Sequence, residues 1–421
     1  MNTPPTISLA MIARDRGREL ARALASVRGH VDEIVVVDAG GSTDDTQEVA
    51  RSFGARVIPF LPEDHPEAFY DDVPERFAGW NLPGPWTGRK ALADFSAPRN
   101  LSFAECKSDY IFWIDSDDVV RNPEKLREHV AKMHAEKLDA IFMQYEYEYD
   151  EARNCIVRQI RERVIRRSDF VSGKVRWAQP IHEHLVGLKK GGLFEDVVIE
   201  HHTTILAENV FESGNLRVQS PQRDHVRLRN LKNLIIEAEA FKAAQKDIPP
   251  RSLFYLGVEL RAVNVDLAIE YLSKYIPVTT WDEERSQARL FIGQIREMQL
   301  RGEEAWDHFA GAALDFPSNP SPWFGLARIA FVRGQWLKVI EYTEKGFAQV
   351  GDDVARKPAL TLNPLEWRYR AHLPYSRALI EVGRIEEALA SAEKGLQVEP
   401  DCKFLREHVA MARERLGKEA A

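Results

Sequence analysis

Three carboxylates fall within four positions at the end of the stretch Tyr110-Ile-Phe-Trp-Ile-Asp-Ser-Asp-Asp-Val-Val120. Asp115, Asp117 and Asp118 are close enough to repel one another, and like charges raise each other's pKa unless a cation or hydrogen-bond donors offset them. A solvated acidic turn capping the next helix and a ligand site both fit such a group taken alone. The five apolar residues from Tyr110 to Ile114 suit an internal strand of a parallel sheet. The acids then lie at its C-terminal edge, where open α/β sheets bind ligands. A second acidic strand end is Asp38, after the β-branched run Ile34 to Val37. A third chemical group is Trp177-Ala-Gln-Pro-Ile-His-Glu-His184, in which Glu183 stands between His182 and His184.

The elements that must position these residues alternate between strand and helix. Ile7 to Ile12 reads as a strand, Leu20, Leu24 and Val27 mark one helical face, and Ala55 to Phe60 reads as a third strand. Ser42 with Asp45 has the spacing of a capping box for the helix between the second and third strands. This β-α-β-α-β order predicts a parallel, nucleotide-binding type of sheet. Residues 61–95 are rich in Pro, Gly, Asp and Trp at their start and have no clear period, which predicts an insertion or lid. Ser96-Ala-Pro-Arg-Asn-Leu101 opens a helix with Pro98 in its first turn. Ala140 to Tyr149 alternates cleanly, and Ile156 to Ile165 carries Arg158, Arg161 and Arg163. The two segments predict an antiparallel hairpin with Glu–Arg pairing across it.

Beyond about residue 215 the pattern is helical only. Ser-Leu-Phe-Tyr-Leu-Gly257, Ala-Arg-Leu-Phe-Ile-Gly293 and Pro-Trp-Phe-Gly325 recur 36 and 32 residues apart, each followed by a second amphipathic stretch. A last copy spans Tyr375 to Glu399, and the less regular residues 351–374 interrupt the array. Paired helices at this spacing resemble tetratricopeptide repeats. The expected division is a catalytic domain at 1–214, a helical linker at 215–250 and repeats at 251–421.

Composition fits this plan. The chain has 421 residues, 44% hydrophobic and 29% charged, which suits two or three folded domains. A net charge of −8 argues against nucleic acid as an obligatory partner, although the basic runs 158–176 and 223–232 allow a local contact. Cys106, Cys155 and Cys402 lie far apart without metal-ligand spacing and fit a reducing cytoplasm. The N-terminal stretch lacks the apolar core of a signal peptide, and no apolar run approaches bilayer length. An integral membrane protein is therefore not expected.

Taken together, Val-Val-Asp38-Ala-Gly-Gly-Ser-Thr-Asp-Asp45, Arg99-Asn100, Asp115-Ser-Asp117, His182-Glu183 and the strand end at His201 resemble the family 2 glycosyltransferases. The resemblance covers about residues 6 to 205. It is closest to the branch with C-terminal tetratricopeptide repeats, a subset of which modifies peptides or proteins, including bacteriocin S-glycosyltransferases. It implies an A-type α/β nucleotide-sugar-binding domain with a mixed sheet, followed by the all-α repeats. It also implies a metal-dependent, inverting transfer from a nucleotide sugar, with UDP the expected nucleotide. By the same resemblance Ala13, Arg14, Asp38, Arg99, Asp115 and Ser116 contact the donor. Asp117, Asp115 and His201 would hold Mg²⁺ or Mn²⁺, with His202 the competing histidine and Asp118 an extra ligand or a helix cap. Glu183 would be the base, with His182 or His184 as its substitute. The extra glycine in Ala39-Gly40-Gly41-Ser42 departs from the family turn and leaves Asp44 and Asp45 without a clear counterpart. Peptide or protein is the favoured acceptor, with a cell-surface glycan, a lipid-linked acceptor or modified nucleic acid as alternatives. The repeats would recruit that acceptor, mediate homodimer formation, or act as a scaffold beside an inactive transferase.

Overall fold

A computed structural model describes residues 4–149, 155–202, 221–350 and 365–419. The chain divides into two compact units, Met1–Lys246 and Asp247–Ala421.

The first unit is built on a mixed eight-stranded sheet. Its early part follows the expected alternation: β1 (Ile7–Ala13), α1 (Gly17–Ser26), β2 (Glu33–Ala39), α2 (Thr46–Ser52) and β3 (Arg56–Phe60). Two short strands, β4 (Phe69–Asp71) and β5 (Lys90–Leu92), precede α3 (Ser96–Glu105), β6 (Tyr110–Trp113) and β7 (Asp118–Arg121). Then come α4 (Leu126–Glu136), β8 (Ala140–Tyr149), β9 (Cys155–Arg166), α5 (Arg167–Val171), β10 (Arg176–Ala178), β11 (His184–Val186), β12 (Gly191–His201) and α6 (Pro221–Ala243). The large sheet has the order β3-β2-β1-β6-β9-β8-β12-β7. Strands β3, β2, β1 and β6 run parallel, so Ala13 stands beside Asp38 and the chain after Trp113 leaves at the same edge. Antiparallel β9 and β8 form the expected hairpin, and β12 and β7 complete the sheet.

Alternation along β1 explains the two-sided core. Ile7, Leu9 and Met11 pack with Leu20 and Leu24 of α1 and Leu126 and Val130 of α4. Ala10 belongs to the other side, with Phe103 of α3 and Trp177 of β10. Complete burial on both sides is why β6 reads as a continuous apolar run rather than an alternating one.

Two local expectations differ from the structure. Ser42 does not cap α2; its hydroxyl donates to Asp38 (2.7 Å), and the helix begins after Asp45 without a side-chain cap. Asp118 does not cap a helix either, because it opens β7. Residues 61–95, expected as an insertion or lid without regular structure, contain the ribbon β4–β5 and short 3₁₀ turns. Their partner is α6, which the expected division placed in a linker. Lys232, 3% exposed, donates to Asp72 (2.5 Å) and to the Pro85 carbonyl (3.2 Å), and its ammonium lies over Trp86. Trp80 and Arg76 both donate to Glu239 at 3.0 Å.

The second unit is all helical: α7 (Pro250–Leu260), α8 (Val265–Tyr275), α9 (Asp282–Met298), α10 (Gly302–Asp315), α11 (Pro320–Val332), α12 (Trp336–Ala348), α13 (His372–Glu381), α14 (Ile385–Val398) and α15 (Lys403–Glu419). The recurring glycines mark close helix approaches. A Cβ on Gly257 would meet the Leu272 side chain at 2.5 Å, and one on Gly293 or Gly325 would meet Phe309 at 2.7 or 2.8 Å. Most of residues 351–374 lie outside the described residues; from 366 on they form a short π-helical turn leading into α13. Among the described residues no helix is long and apolar enough to cross a membrane.

Candidate active site

The acidic turn after β6 is closed by its own hydrogen bonds. The Asp118 amide donates to the Asp115 carbonyl (3.1 Å), and the Asp115 amide donates back to Asp118 Oδ2 (3.1 Å). This reciprocal pair turns the chain from β6 into β7 and aims the three carboxylates at different partners.

Asp118 is fully buried. It accepts from Arg163 NH1 (3.3 Å) and contacts His201 Nδ1 (3.2 Å). Asp117 Oδ1 lies 3.7 Å from the same imidazole nitrogen. Tyr145 Oη is 3.1 Å from it, and Tyr147 stacks on the His201 ring at 4.9 Å. The antiparallel register of β12 on β7 sets His201 directly opposite Asp118. Two backbone contacts fix this strand end: the His202 amide donates to the Asp117 carbonyl (2.8 Å), and Arg22 donates to the His202 carbonyl (2.7 Å).

Asp117, Asp118 and His201 each offer a ligand atom, and these atoms lie within 4.8 Å of one another. Ligands about 2.1 Å from a small divalent ion are separated by roughly 3–4 Å, so a modest contraction suits one. The electrostatics agree with that fit. Burial raises the Asp117 carboxyl to about 6, and Asp118 and Asp115 push it the same way against His201. Burial alone would lower the His201 imidazole, but Asp118, Asp117 and Asp115 outweigh it and raise its pKa above the usual value. A cation would offset both the burial and the weaker acid–acid repulsion that raise the Asp117 carboxyl.

Asp115 is separate from this trio. It accepts from Arg99 NH2 at 2.6 Å, and burial, which opposes ionisation, is outweighed by Arg99 and Arg163, holding its carboxyl down at about 2. The metal set expected from sequence named Asp115 with Asp117 and His201; the structure groups Asp118 with them and turns Asp115 towards Arg99. His202 faces Glu200 (3.1 Å) instead.

Asp38, 1% exposed, sits at the same sheet edge with its acceptor positions filled from its own loop. The Ser42 amide donates to both oxygens (2.9 Å each), and Gln47 Nε2 donates to Oδ2 (2.6 Å). Ala13 is buried beside it. The Arg14 guanidinium lies against Gly40, where a Cβ would come within 2.7 Å of it. Gly40 also has φ of 108°, so the extra glycine of the turn answers both a backbone and a space requirement. Asp44 and Asp15 tie the two loops together, accepting from the Gly17 and Thr43 amides at 3.1 and 2.7 Å.

Glu183 lies in the loop between β10 and β11, where Gln179 and His182 have φ of 72° and 54°. It accepts from Arg99 Nε at 2.6 Å. His184 opens β11, and Ser116 is half-buried in the acidic turn. Asn100 clamps the backbone of Trp177, donating to its carbonyl (3.1 Å) and accepting from its amide (2.9 Å). Trp177 is 1% exposed and packs against Phe103 and Trp113, so it serves the core and does not present a stacking face. Arg163 and Tyr145 are the residues of this site that sequence reasoning missed.

The sequence profile of glycosyl transferase family 2 matches residues 90–189, a segment holding Arg99, the acidic turn and Glu183. That segment is similar to the family 2 glycosyltransferases and supports a glycosyltransferase. It is 24% identical over 275 residues to the SPbeta prophage-derived glycosyltransferase SunS of Bacillus subtilis, covering 65% of this chain and 53% of that protein. A TPR repeat-containing protein of Synechococcus elongatus is 33% identical over 112 residues, 27% of this chain and 20% of its own length. The crystal structure of S. aureus TarS superposes with a TM-score of 0.36 and 12% identity, over 68% of this chain and 52% of that one. The chain thus spans about half the length of SunS, and less of the repeat protein.

Proposed function

We propose that this protein is a metal-dependent, inverting glycosyltransferase that moves a sugar from a nucleotide sugar, a UDP-sugar in the first instance, to a peptide or protein. The observation that carries this reading is the Asp117–Asp118–His201 trio, with Asp118 buried and the other two half-buried, beside an Asp115 that one arginine joins to Glu183. Asp117 and His201, with Asp118 behind them, are the residues that would hold Mg²⁺ or Mn²⁺. A bound divalent ion supplies charge neutralisation for the departing diphosphate. Ala13, Arg14 and Asp38 form the nucleotide-facing edge, and Asp115 with Ser116 the side towards ribose and diphosphate. Glu183 takes the acceptor proton as the acceptor attacks the anomeric carbon opposite the leaving group. His182 and His184 flank it and adjust the loop. The similarity to SunS and the helical repeats support a macromolecular acceptor, with the repeats recruiting it or joining two copies. The dispersed free cysteines support a cytoplasmic setting.

The test is release of nucleoside diphosphate from a panel of nucleotide sugars, with Mn²⁺ and a library of cysteine- and serine-containing peptides. The reading expects one donor to be consumed, faster with some peptides, and with inversion at the anomeric carbon. Metal-independent consumption, or retention of configuration, would contradict it.

A further inference from the structure

We infer that Arg99 is a positioning residue that couples the donor-side acid Asp115 to the base Glu183, and is not a donor contact. The catalytic meaning of this bridge rests on the transferase reading above; the bridge itself does not.

Arg99 is 8% exposed and spends its guanidinium on two partners from distant segments: NH2 on Asp115 Oδ1 and Nε on Glu183 Oε1, both at 2.6 Å. Asp115 belongs to the turn after β6, whereas Glu183 belongs to the loop between β10 and β11. The guanidinium plane is fixed as well as its ends, because its central carbon lies 5.0 Å from the Trp113 ring centroid and 4.9 Å from that of Trp177. Those two indoles meet edge to face at 4.8 Å. Trp113 is held in turn, donating from Nε1 to the Glu162 carbonyl at 2.7 Å, and Arg163 lies 4.1 Å from its centroid on the way to Asp118. One tryptophan thus touches two arginines, each assigned to a different acid of the turn. Arg99 takes Asp115 and Glu183, Arg163 takes Asp118, and Asp117 is left for the cation.

This arrangement has a functional consequence. A base must meet the acceptor in a geometry set by where the donor sits, and a displacement of about 1 Å can cost about 100-fold in rate. A single planar cation bonded to both carboxylates makes their separation a property of one side chain. Lysine, a point charge with no fork, cannot hold both oxygens in plane and rest flat against two indoles.

The experiment combines kinetics with stability. In the full chain, Arg99→Ala should lower kcat about 100-fold while the nucleotide dissociation constant changes much less. Arg99→Lys should remain well below wild type. Millimolar guanidinium should restore part of the Arg99→Ala rate by taking the vacated place beside Trp113 and Trp177, and should do nothing for Glu183→Gln. A fall caused wholly by weaker donor binding, or full activity in Arg99→Lys, would overturn the inference.

A second arm needs no turnover. The denaturation midpoints of Arg99→Ala, Glu183→Gln and the double variant form a cycle, and directly bonded partners should be clearly non-additive. Additive shifts would remove the bridge. If wild type turns over no nucleotide sugar but the cycle shows coupling, the transferase reading fails while the bridge stands.

Discussion

Asp38 and Asp117 are carboxylates at the same sheet edge, the first buried and the second half-buried, yet their surroundings are opposite. Asp38 is supplied with donors by its own turn, the Ser42 amide and hydroxyl and the Gln47 amide. Asp117 has no such donors among the described residues to offset its loss of water, and burial, reinforced by Asp118 and Asp115 against His201, pushes its carboxyl up to about 6. A carboxylate satisfied from within the fold is a fixed acceptor, part of the scaffold before any ligand arrives. One left without donors needs a partner from outside. On the proposed reading, the contrast would separate a nucleotide-facing edge that is already complete from a cation site that still lacks its partner.

Four experiments can break or sharpen that contrast. The largest effect belongs to Asp117→Ala, which should reduce metal-dependent binding of nucleoside diphosphate at least about 100-fold while circular dichroism shows an intact fold. Calorimetry in Mn²⁺ reads this directly, and undiminished binding would remove Asp117 from the cation site. Asp38→Ala should behave differently on both counts. It should weaken nucleotide binding by a similar factor with and without metal. It should also destabilise the protein by about 1–3 kcal/mol, because donors of the turn lose their acceptor. Chemical denaturation beside calorimetry checks the pair.

The third experiment is a pH series. The Asp117 carboxyl stays protonated below about 6, and a cation must displace that proton. Metal affinity should therefore be full above pH 7 and fall through pH 6 by about tenfold per unit below it. The raised His201 imidazole acts in the same direction, since its proton also competes with the ion. A flat profile from pH 5 to 8 would contradict the assignment of ligands. The smallest effect is on stability without metal. Asp117 binds a proton more tightly folded than unfolded, so its contribution is favourable in acid and lost as pH rises towards 6. Asp117→Asn should then raise Tm by roughly 2–4 °C at pH 7.5 and leave it unchanged near pH 4.

Much of this was legible in the sequence for a physical reason. Tyr110 to Ile114 announced an internal strand through uniform apolarity, and the strict alternation of Ala140 to Tyr149 announced a hairpin partner. The helical repeats were visible because α7, α9 and α11 each carry a glycine where a side chain of a neighbouring helix comes closest. What escaped was long-range. Arg163 reaches Asp118 because β9 pairs antiparallel with β6, and the register Phe112↔Val164 brings it beside Trp113. Nothing local marks that arginine, which reads like its neighbours Arg158 and Arg161, and among the described side chains Arg158 forms the expected cross-strand pair, with Glu146 at 2.7 Å. Residues 61–95 looked structureless for the same reason, since the lysine that anchors them, Lys232, lies 160 residues from its partner Asp72. The family resemblance gave Asp115 both a donor and a metal role, and nothing local shows which of the three acids Arg99 will pair with.

The central claim is that the acidic turn is a working cation site for a nucleotide-sugar donor. Its most direct test is calorimetric titration of UDP and UDP-sugars into the full chain, first with Mn²⁺ and then with EDTA. The account predicts binding in Mn²⁺ that EDTA abolishes in wild type and that Asp117→Ala lacks. Equal binding with and without metal, or none in either buffer, would contradict it.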